Sequence, residues 1–450
     1  MEKKISVIIT MHNQKELLET NLRWLNATNG KCRFILVDNG SEDGTGELLS
    51  TSGYDYILFD EGRQGYGTVW NAVIDNFELD DTIVFMNIRY IVGRNTLTKL
   101  ADAVHHNMKT GIVGPRINGV AGSQYLSVDN VEKMLALEID NEKSTIKSTY
   151  ETVVNVWAGI WAISKERLLE NGRFNDKLMT AEYVVTDYEF RLLQNGYPAI
   201  VCIDALAFDT EVESQDKNMY EADIINDRKV LKDTWNMNYF NCVPNGNLVA
   251  LISEESETSF SVLEIGCDLG ANLLNIQNKF PNSKVQGVEI NPAAVSIAKC
   301  LLDVEEGNIE EENLSFHEKF DYIIFGDVLE HLHNPQKTIR YCKQKLLKEN
   351  GHIIASIPNV MHISVMQQLL NGRFEYTDMG LLDRTHIHLF TYYEIILMFQ
   401  QEDYSIEGIY GTKRNLTEEQ EQLKSKLMEL SENVEMHMYD TYQYVVKARS

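Results

Sequence analysis

Val262-Leu263-Glu264-Ile265-Gly266-Cys267-Asp268-Leu269-Gly270-Ala271-Asn272 is the stretch on which the reading of this 450-residue chain turns. An apolar run breaks into a glycine turn and then opens a helix, whose apolar face is supplied by Leu273, Leu274, Ile276 and Phe280. A strand, glycine turn and helix in this order leave free backbone N–H groups at a helix N-terminus, where a nucleotide's polar end can approach closely. A second unit follows. Val285-Gln286-Gly287-Val288-Glu289 is a short apolar strand ending in an acid, 25 residues after Glu264, and Asn291 with Pro292 starts the next helix. An acid in that place can accept both hydroxyls of an adenosine ribose.

A dinucleotide-binding dehydrogenase is the rival reading of such a turn, and the residues downstream separate the two. Phe320-Asp321-Tyr322-Ile323-Ile324-Phe325-Gly326-Asp327-Val328-Leu329-Glu330-His331-Leu332 reads as a fourth strand running into an acidic loop with a histidine. Ser356-Ile357-Pro358-Asn359-Val360 and Leu382-Asp383-Arg384-Thr385-His386-Ile387-His388-Leu389-Phe390-Thr391 come after it. Together these blocks resemble a class I S-adenosylmethionine-dependent methyltransferase with a Rossmann-like fold. The resemblance implies that Glu264, Gly266, Gly270, Glu289, Asn308 and Asp327 surround S-adenosylmethionine. Asn308 stands where an acid usually meets the adenine amine, and its amide oxygen can accept the same hydrogen bond. Asp268 replaces the middle glycine of E-x-G-x-G-x-G, so it must avoid or tolerate a left-handed backbone.

A methyl acceptor that is a hydroxyl needs a base, and histidine titrates near neutrality. His331 and His386 are the candidates, with Asp327, Glu330, Asp383 and Arg384 nearby; Arg384 is assigned to substrate. His331 also reads as a structural hydrogen-bonder. His386 and His388 alternate along an expected strand, so only one of them would point inward. No second pair at ligand spacing accompanies them, so no metal is expected there.

Working back to the start, Ile5–Thr10 and Phe34–Val37 are strand-like, with a helix between them carrying Leu17, Leu18, Leu22 and Leu25. Alternating strands and helices imply a parallel sheet with ligands at the carboxyl ends of its strands. The polar loop Asp38-Asn39-Gly40-Ser41-Glu42-Asp43-Gly44-Thr45 falls at such an end. It resembles the nucleotide-binding signature of family-2 glycosyltransferases of the GT-A fold. Gly65-Tyr66-Gly67, Asn71, Ile83-Val84-Phe85-Met86-Asn87, Trp157-Ala158-Gly159 and Arg191-Leu192-Leu193-Gln194-Asn195-Gly196-Tyr197 agree. The resemblance implies that Thr10, Asp38 and Asn39 hold the nucleotide, with Gly65, Asn87 and Arg89 also lining the donor.

Two departures bear on catalysis. The family places an aspartate after the third strand to hold a divalent metal, Mg or Mn, against the donor diphosphate. Here the run is Asn87-Ile88-Arg89. A guanidinium cannot bind a cation but pairs with phosphate bidentately, so Arg89 either replaces the metal's charge or marks a decayed site. The family's catalytic acids, aligned on Gly196 without gaps, fall on Val184 and Val185. Asp187 is then the assigned base, and helix-start acids are the other reading of Asp187 and Glu189. Arg116–Tyr150 is polar and matches no block.

The formal net charge of −26 argues against a nucleic-acid partner, since such a chain repels a phosphate backbone. The six cysteines show no CxxC pairing or metal spacing and read as reduced thiols of a cytoplasmic protein. The N-terminal apolar run is too short for a signal peptide, and no apolar stretch approaches the length of a bilayer span. Tyr239–Gly246 breaks the pattern and marks a boundary. Leu416–Val434 reads as an amphipathic helix, and Tyr442–Val446 as the last strand.

The expected architecture is therefore α/β in two domains, a GT-A-like domain over 1–238 and a class I methyltransferase domain over 247–450. The expected function joins sugar transfer from a nucleotide-sugar to O-methylation of a glycan or glycoconjugate, in surface polysaccharide or glycoconjugate synthesis. Membrane contact is expected only at the periphery, through the acceptor. Two alternatives keep the methyltransferase: a degenerate N-terminal domain that only binds, or a non-sugar acceptor.

Overall fold

The computed structural model describes residues 4–29, 32–143, 149–210, 217–237 and 240–450. Met1–Lys3 of the charged start, part of the polar 116–150 segment and Tyr239 of the expected boundary lie outside the described residues. The chain divides into two compact units, Met1–Pro244 and Asn245–Ser450.

Among the described residues the first unit holds nine strands: β1 (Ile5–Met11), β2 (Arg33–Asp38), β3 (Asp55–Leu58), β4 (Thr82–Asn87), β5 (Tyr90–Val92), β6 (Val113–Ile117), β7 (Tyr150–Val153), β8 (Ile160–Ser164) and β9 (Ala199–Asp209). They form one sheet in the order β3-β2-β1-β4-β8-β6-β9-β5, with β7 on β9. β1 is parallel to both β2 and β4, whereas β8 runs antiparallel to β4. All seven residues of β1 are buried. Alternate side chains feed opposite layers, as the pleat requires: Val7, Ile9 and Met11 on one face, Ile8 on the other with Ile35 and Val37. Each such aliphatic side chain contributes about 1.5–3 kcal/mol on burial. The unplaced 116–150 segment contains a helix, Val131–Lys143, whose Met134 packs with Leu126 on Leu206 of β9.

The second unit holds β10 (Ser261–Ile265), β11 (Lys284–Glu289), β12 (Asp303–Glu306), β13 (Phe320–Gly326), β14 (Leu347–Pro358), β15 (Ser405–Lys413) and β16 (Thr441–Arg449). Their order is β12-β11-β10-β13-β14-β16-β15. The first five are parallel neighbours, and β16 enters antiparallel between β14 and β15. The C-terminal strand thus closes the sheet from within. The helix expected over 416–434 spans Glu418–Leu430, started by a capping box of Thr417 and Gln420. The six cysteines form no disulfide with one another. Among the described residues, no helix is long and apolar enough to cross a membrane.

Candidate functional sites

In the first unit the chain leaves β1 towards β2 and β3, then returns to β4 on the other side. That reversal opens a crevice at the carboxyl ends of β1 and β4. Thr10 pairs in register with Asn87, and Met11 with Asp38, so Thr10, Asp38 and Asn87 share one edge. Each is fixed locally. Trp70 donates its indole N–H to the Thr10 hydroxyl at 3.3 Å. Asp38 accepts from the Ser41 N–H at 3.1 Å. Asn39 uses both ends of its amide on the backbone of Gln64, at 2.8 and 2.9 Å, so it clamps two loops together. Its side chain therefore shapes the crevice rather than reaching freely into it. Gly65 starts the helix Tyr66–Asn76, and a β-carbon there would lie 2.5 Å from the Leu178 carbonyl oxygen. Only glycine lets 65–67 lie so close against 175–179.

Asn87 accepts from the Arg89 N–H at 3.0 Å. The Arg89 guanidinium pairs with Asp209 at 2.7 Å and also reaches the Tyr90 hydroxyl at 3.1 Å. A cation already stands where the family would hold a metal. Among the described residues, no group of three carboxylate, imidazole or thiol ligands forms there.

The assigned base lies elsewhere in character. The helix Ala181–Gln194 starts earlier than expected, so Asp187 and Glu189 are mid-helix and not helix-start acids. Asp187 is buried, with one oxygen on Arg191 at 3.1 Å and the other on the Trp235 indole at 3.0 Å. Glu189 accepts from the Val156 N–H at 2.9 Å, and burial holds its carboxyl well above the ordinary range. Both serve packing. Glu182, in the first turn, is the acid electrostatically coupled to Tyr66 and Arg89. An ungapped count from Gly196 lands on Val184 and passes over Glu182 by two residues.

In the second unit the same reversal falls between β10 and β13. Glu264 near the end of β10, Glu289 at the end of β11 and Asp327 after β13 surround it. Gly266 and Gly270 both take positive φ, 68° and 84°. A β-carbon on Gly270 would meet Leu302 Cδ1 at 2.3 Å. Asp268 adopts the left-handed conformation, φ 49°, and donates its N–H to Glu289 at 3.0 Å. It tolerates what the glycine would have made easy. The other Glu289 oxygen accepts from the Asn291 N–H at 2.8 Å. Each oxygen retains a lone pair for a ribose hydroxyl.

Glu264 accepts from the Asn272 amide at 2.6 Å through one oxygen, while the other is buried with no partner among the described residues. Burial pushes its carboxyl up to about 8. An orphaned buried acceptor beside a glycine cradle fits a ligand that brings its own donors, as S-adenosylmethionine would. Asn308 spends its amide oxygen capping the turn at Glu310, at 3.0 Å. One lone pair of that oxygen is left.

Asp327 has a positive φ of 56° and donates its N–H to the Ser356 hydroxyl at 3.0 Å. Its surface reaches solvent, yet the surrounding walls raise its carboxyl, as at the mouth of a recess. The segment 383–389 is not the expected strand. Asp383 accepts from Thr385 within a turn, and the Ile387 and His388 N–H groups both donate to the Glu330 carbonyl, at 2.9 and 3.0 Å. Those bonds bring His386 against His331, with ring centroids 4.8 Å apart. Arg384 stays outside this cluster, exposed and paired with Asp378 at 3.0 Å.

Residues 6–169 match the family model described as glycosyl transferase family 2, and residues 237–407 the one described as a methyltransferase domain. The chain has two α/β domains, each matched by one of these models. It carries a family-2 glycosyltransferase domain of the GT-A fold joined to a class I methyltransferase domain.

Over 114 residues it is 32% identical to an uncharacterised protein of Rickettsia prowazekii (strain Madrid E), covering 24% of this chain and 45% of that one. Over 178 residues it is 29% identical to a ubiquinone biosynthesis O-methyltransferase of Glaesserella parasuis serovar 5 (strain SH0165), covering 36% and 73%. The chain thus spans less than half the length of the first of these relatives. Similar solved structures include a SAM-dependent methyltransferase from Archaeoglobus fulgidus, with 15% identity and a TM-score of 0.33 over 52% of this chain and all of that one. Another is a mannosyltransferase from Pyrobaculum calidifontis in complex with GDP-Man and Mn2+, with 16% identity and a TM-score of 0.38 over 52% and 65%.

Proposed function

We propose that the protein modifies a glycan or glycoconjugate twice, adding a sugar from a nucleotide-sugar and O-methylating a hydroxyl. The observation that carries the proposal is the repeated placement of polar residues at two sheet reversals: Thr10, Asp38 and Asn87 in one unit, Glu264, Glu289 and Asp327 in the other.

In the first domain Thr10 and Asp38 meet the nucleotide, Asn39 holds the loop, and Arg89 stands at the diphosphate in place of a metal. Glu182 takes the proton of the acceptor hydroxyl. In the second domain Gly266, Gly270, Glu289 and Asn308 hold S-adenosylmethionine, which supplies an electrophilic methyl group on a sulfonium. The acceptor hydroxyl enters beside Asp327 and loses its proton at the His331–His386 pair. Alignment of nucleophile and methyl does most of the remaining work.

Incubating the protein with a panel of nucleotide-sugars, with and without EDTA, tests the first half. Transfer or hydrolysis that survives EDTA and collapses in Arg89→Ala is the expected result. A strict metal requirement contradicts the role of Arg89, and no turnover with any donor returns the domain to a binding role. Methylation belongs to a surface glycan or glycoconjugate in this reading, and a product heavier by one methyl group on a sugar is its signature.

A further inference from the structure

Glu330, His331 and His386 form a cluster that the methyl-transfer reading does not fully use. One ligand atom from each lies within 4.8 Å of the others. His331 Nδ1 faces the Thr385 carbonyl at 3.1 Å, and His386 Nδ1 faces the Leu381 carbonyl at 3.1 Å. A carbonyl only accepts, so each Nδ1 carries the proton and each Nε2 presents a lone pair. His386 Nε2 points towards Glu330 Oε1 at 4.0 Å. Glu330 is 1% exposed, and among the described residues neither carboxylate oxygen has a hydrogen-bond partner in another residue. A buried carboxylate without donors is costly to leave so. Imidazoles oriented by backbone carbonyls through the other nitrogen are the arrangement that metal-bound histidines use.

We propose that Glu330, His331 and His386 bind a divalent transition-metal cation such as Zn2+, leaving further coordination positions open towards Asp327. Two imidazole nitrogens and one carboxylate oxygen suit zinc and its first-row neighbours, not magnesium or calcium. Ligands about 2.1 Å from a tetrahedral ion sit roughly 3.4 Å apart, so the side chains close by about 1 Å on binding. The expectation that no metal binds here rested on spacing along the sequence, and the third ligand was a carboxylate rather than another pair. The ion's catalytic role rests on the methyl-transfer reading; its binding does not. With both Nε2 lone pairs spent, the acceptor hydroxyl is activated by coordination to the ion, and its proton passes to solvent water.

The test is calorimetric titration of the metal-stripped full-length protein with Zn2+ alone, repeated with S-adenosylmethionine alone as a separate reading of the cofactor site. The expected result is saturable zinc binding, weakened at least about tenfold in Glu330→Gln and in His331→Gln, both of which still bind S-adenosylmethionine. Should Glu330→Gln fail to fold, His331→Gln decides, since that ring is only half-buried. No zinc binding by the wild type, or equal binding by the variants, overturns the proposal whatever the cofactor titration shows. A cofactor titration without binding, beside normal zinc uptake, overturns the methyltransferase reading and leaves the metal site standing.

Discussion

Glu264 makes the pH dependence of the second domain predictable. Its folded carboxyl holds a proton up to about 8, whereas an ordinary glutamate releases it near 4.5. Between those values the folded state binds the extra proton, so stability falls as pH rises and levels off above about 8. The loss is on the order of 3–5 kcal/mol for a fully buried group. Glu264→Gln keeps the Asn272 bond and never titrates. Its stability advantage over wild type should therefore grow from pH 5 to pH 8, measured by denaturant unfolding without cofactor. A constant difference would show that Glu264 ionises freely. The place of Glu289 at the end of β11 was legible in the sequence because the short apolar run stops there. Arg89 was legible as an oddity, but its partner Asp209 lies on a strand 120 residues away, beyond any local pattern.

At the scale of elements, close approach does the positioning. Gly65 has an ordinary φ of −65°, so a side chain there is not strained by its backbone. What forbids it is the Leu178 carbonyl. Gly65→Ala should cost about 1–3 kcal/mol by forcing the helix Tyr66–Asn76 away from 175–179, and nucleotide binding should weaken with it. Retention of wild-type melting would mean the contact gives way easily. The helix Glu418–Leu430 offers a milder case: Thr417→Ala removes its capping bond and should lower stability by about 1 kcal/mol, read by denaturant unfolding, with methyl transfer intact. Strands and helices were readable because their apolar periods are long and regular. The 383–389 segment was misread for the same reason, since His386 and His388 alternate as a strand would. Its true course is set by two N–H groups meeting the Glu330 carbonyl, a contact that no periodicity records. The start of the helix at Ala181 was likewise set by its surroundings, and it places Glu182 in the first turn and Asp187 in the interior.

At the scale of the whole molecule, each unit has its own sheet and its own core. The central claim is that one chain carries two separate transferase sites, and paired titrations of the full-length protein test it most directly. S-adenosylmethionine and nucleoside diphosphates are titrated in turn into wild type, Glu289→Ala and Asp38→Ala. Glu289→Ala should weaken S-adenosylmethionine binding roughly tenfold or more, because each lost charge-assisted bond is worth about 1.5–3 kcal/mol, and leave the nucleotide untouched. Asp38→Ala should do the reverse. Unchanged cofactor affinity in Glu289→Ala, or tight binding of NADH in place of S-adenosylmethionine, would contradict it.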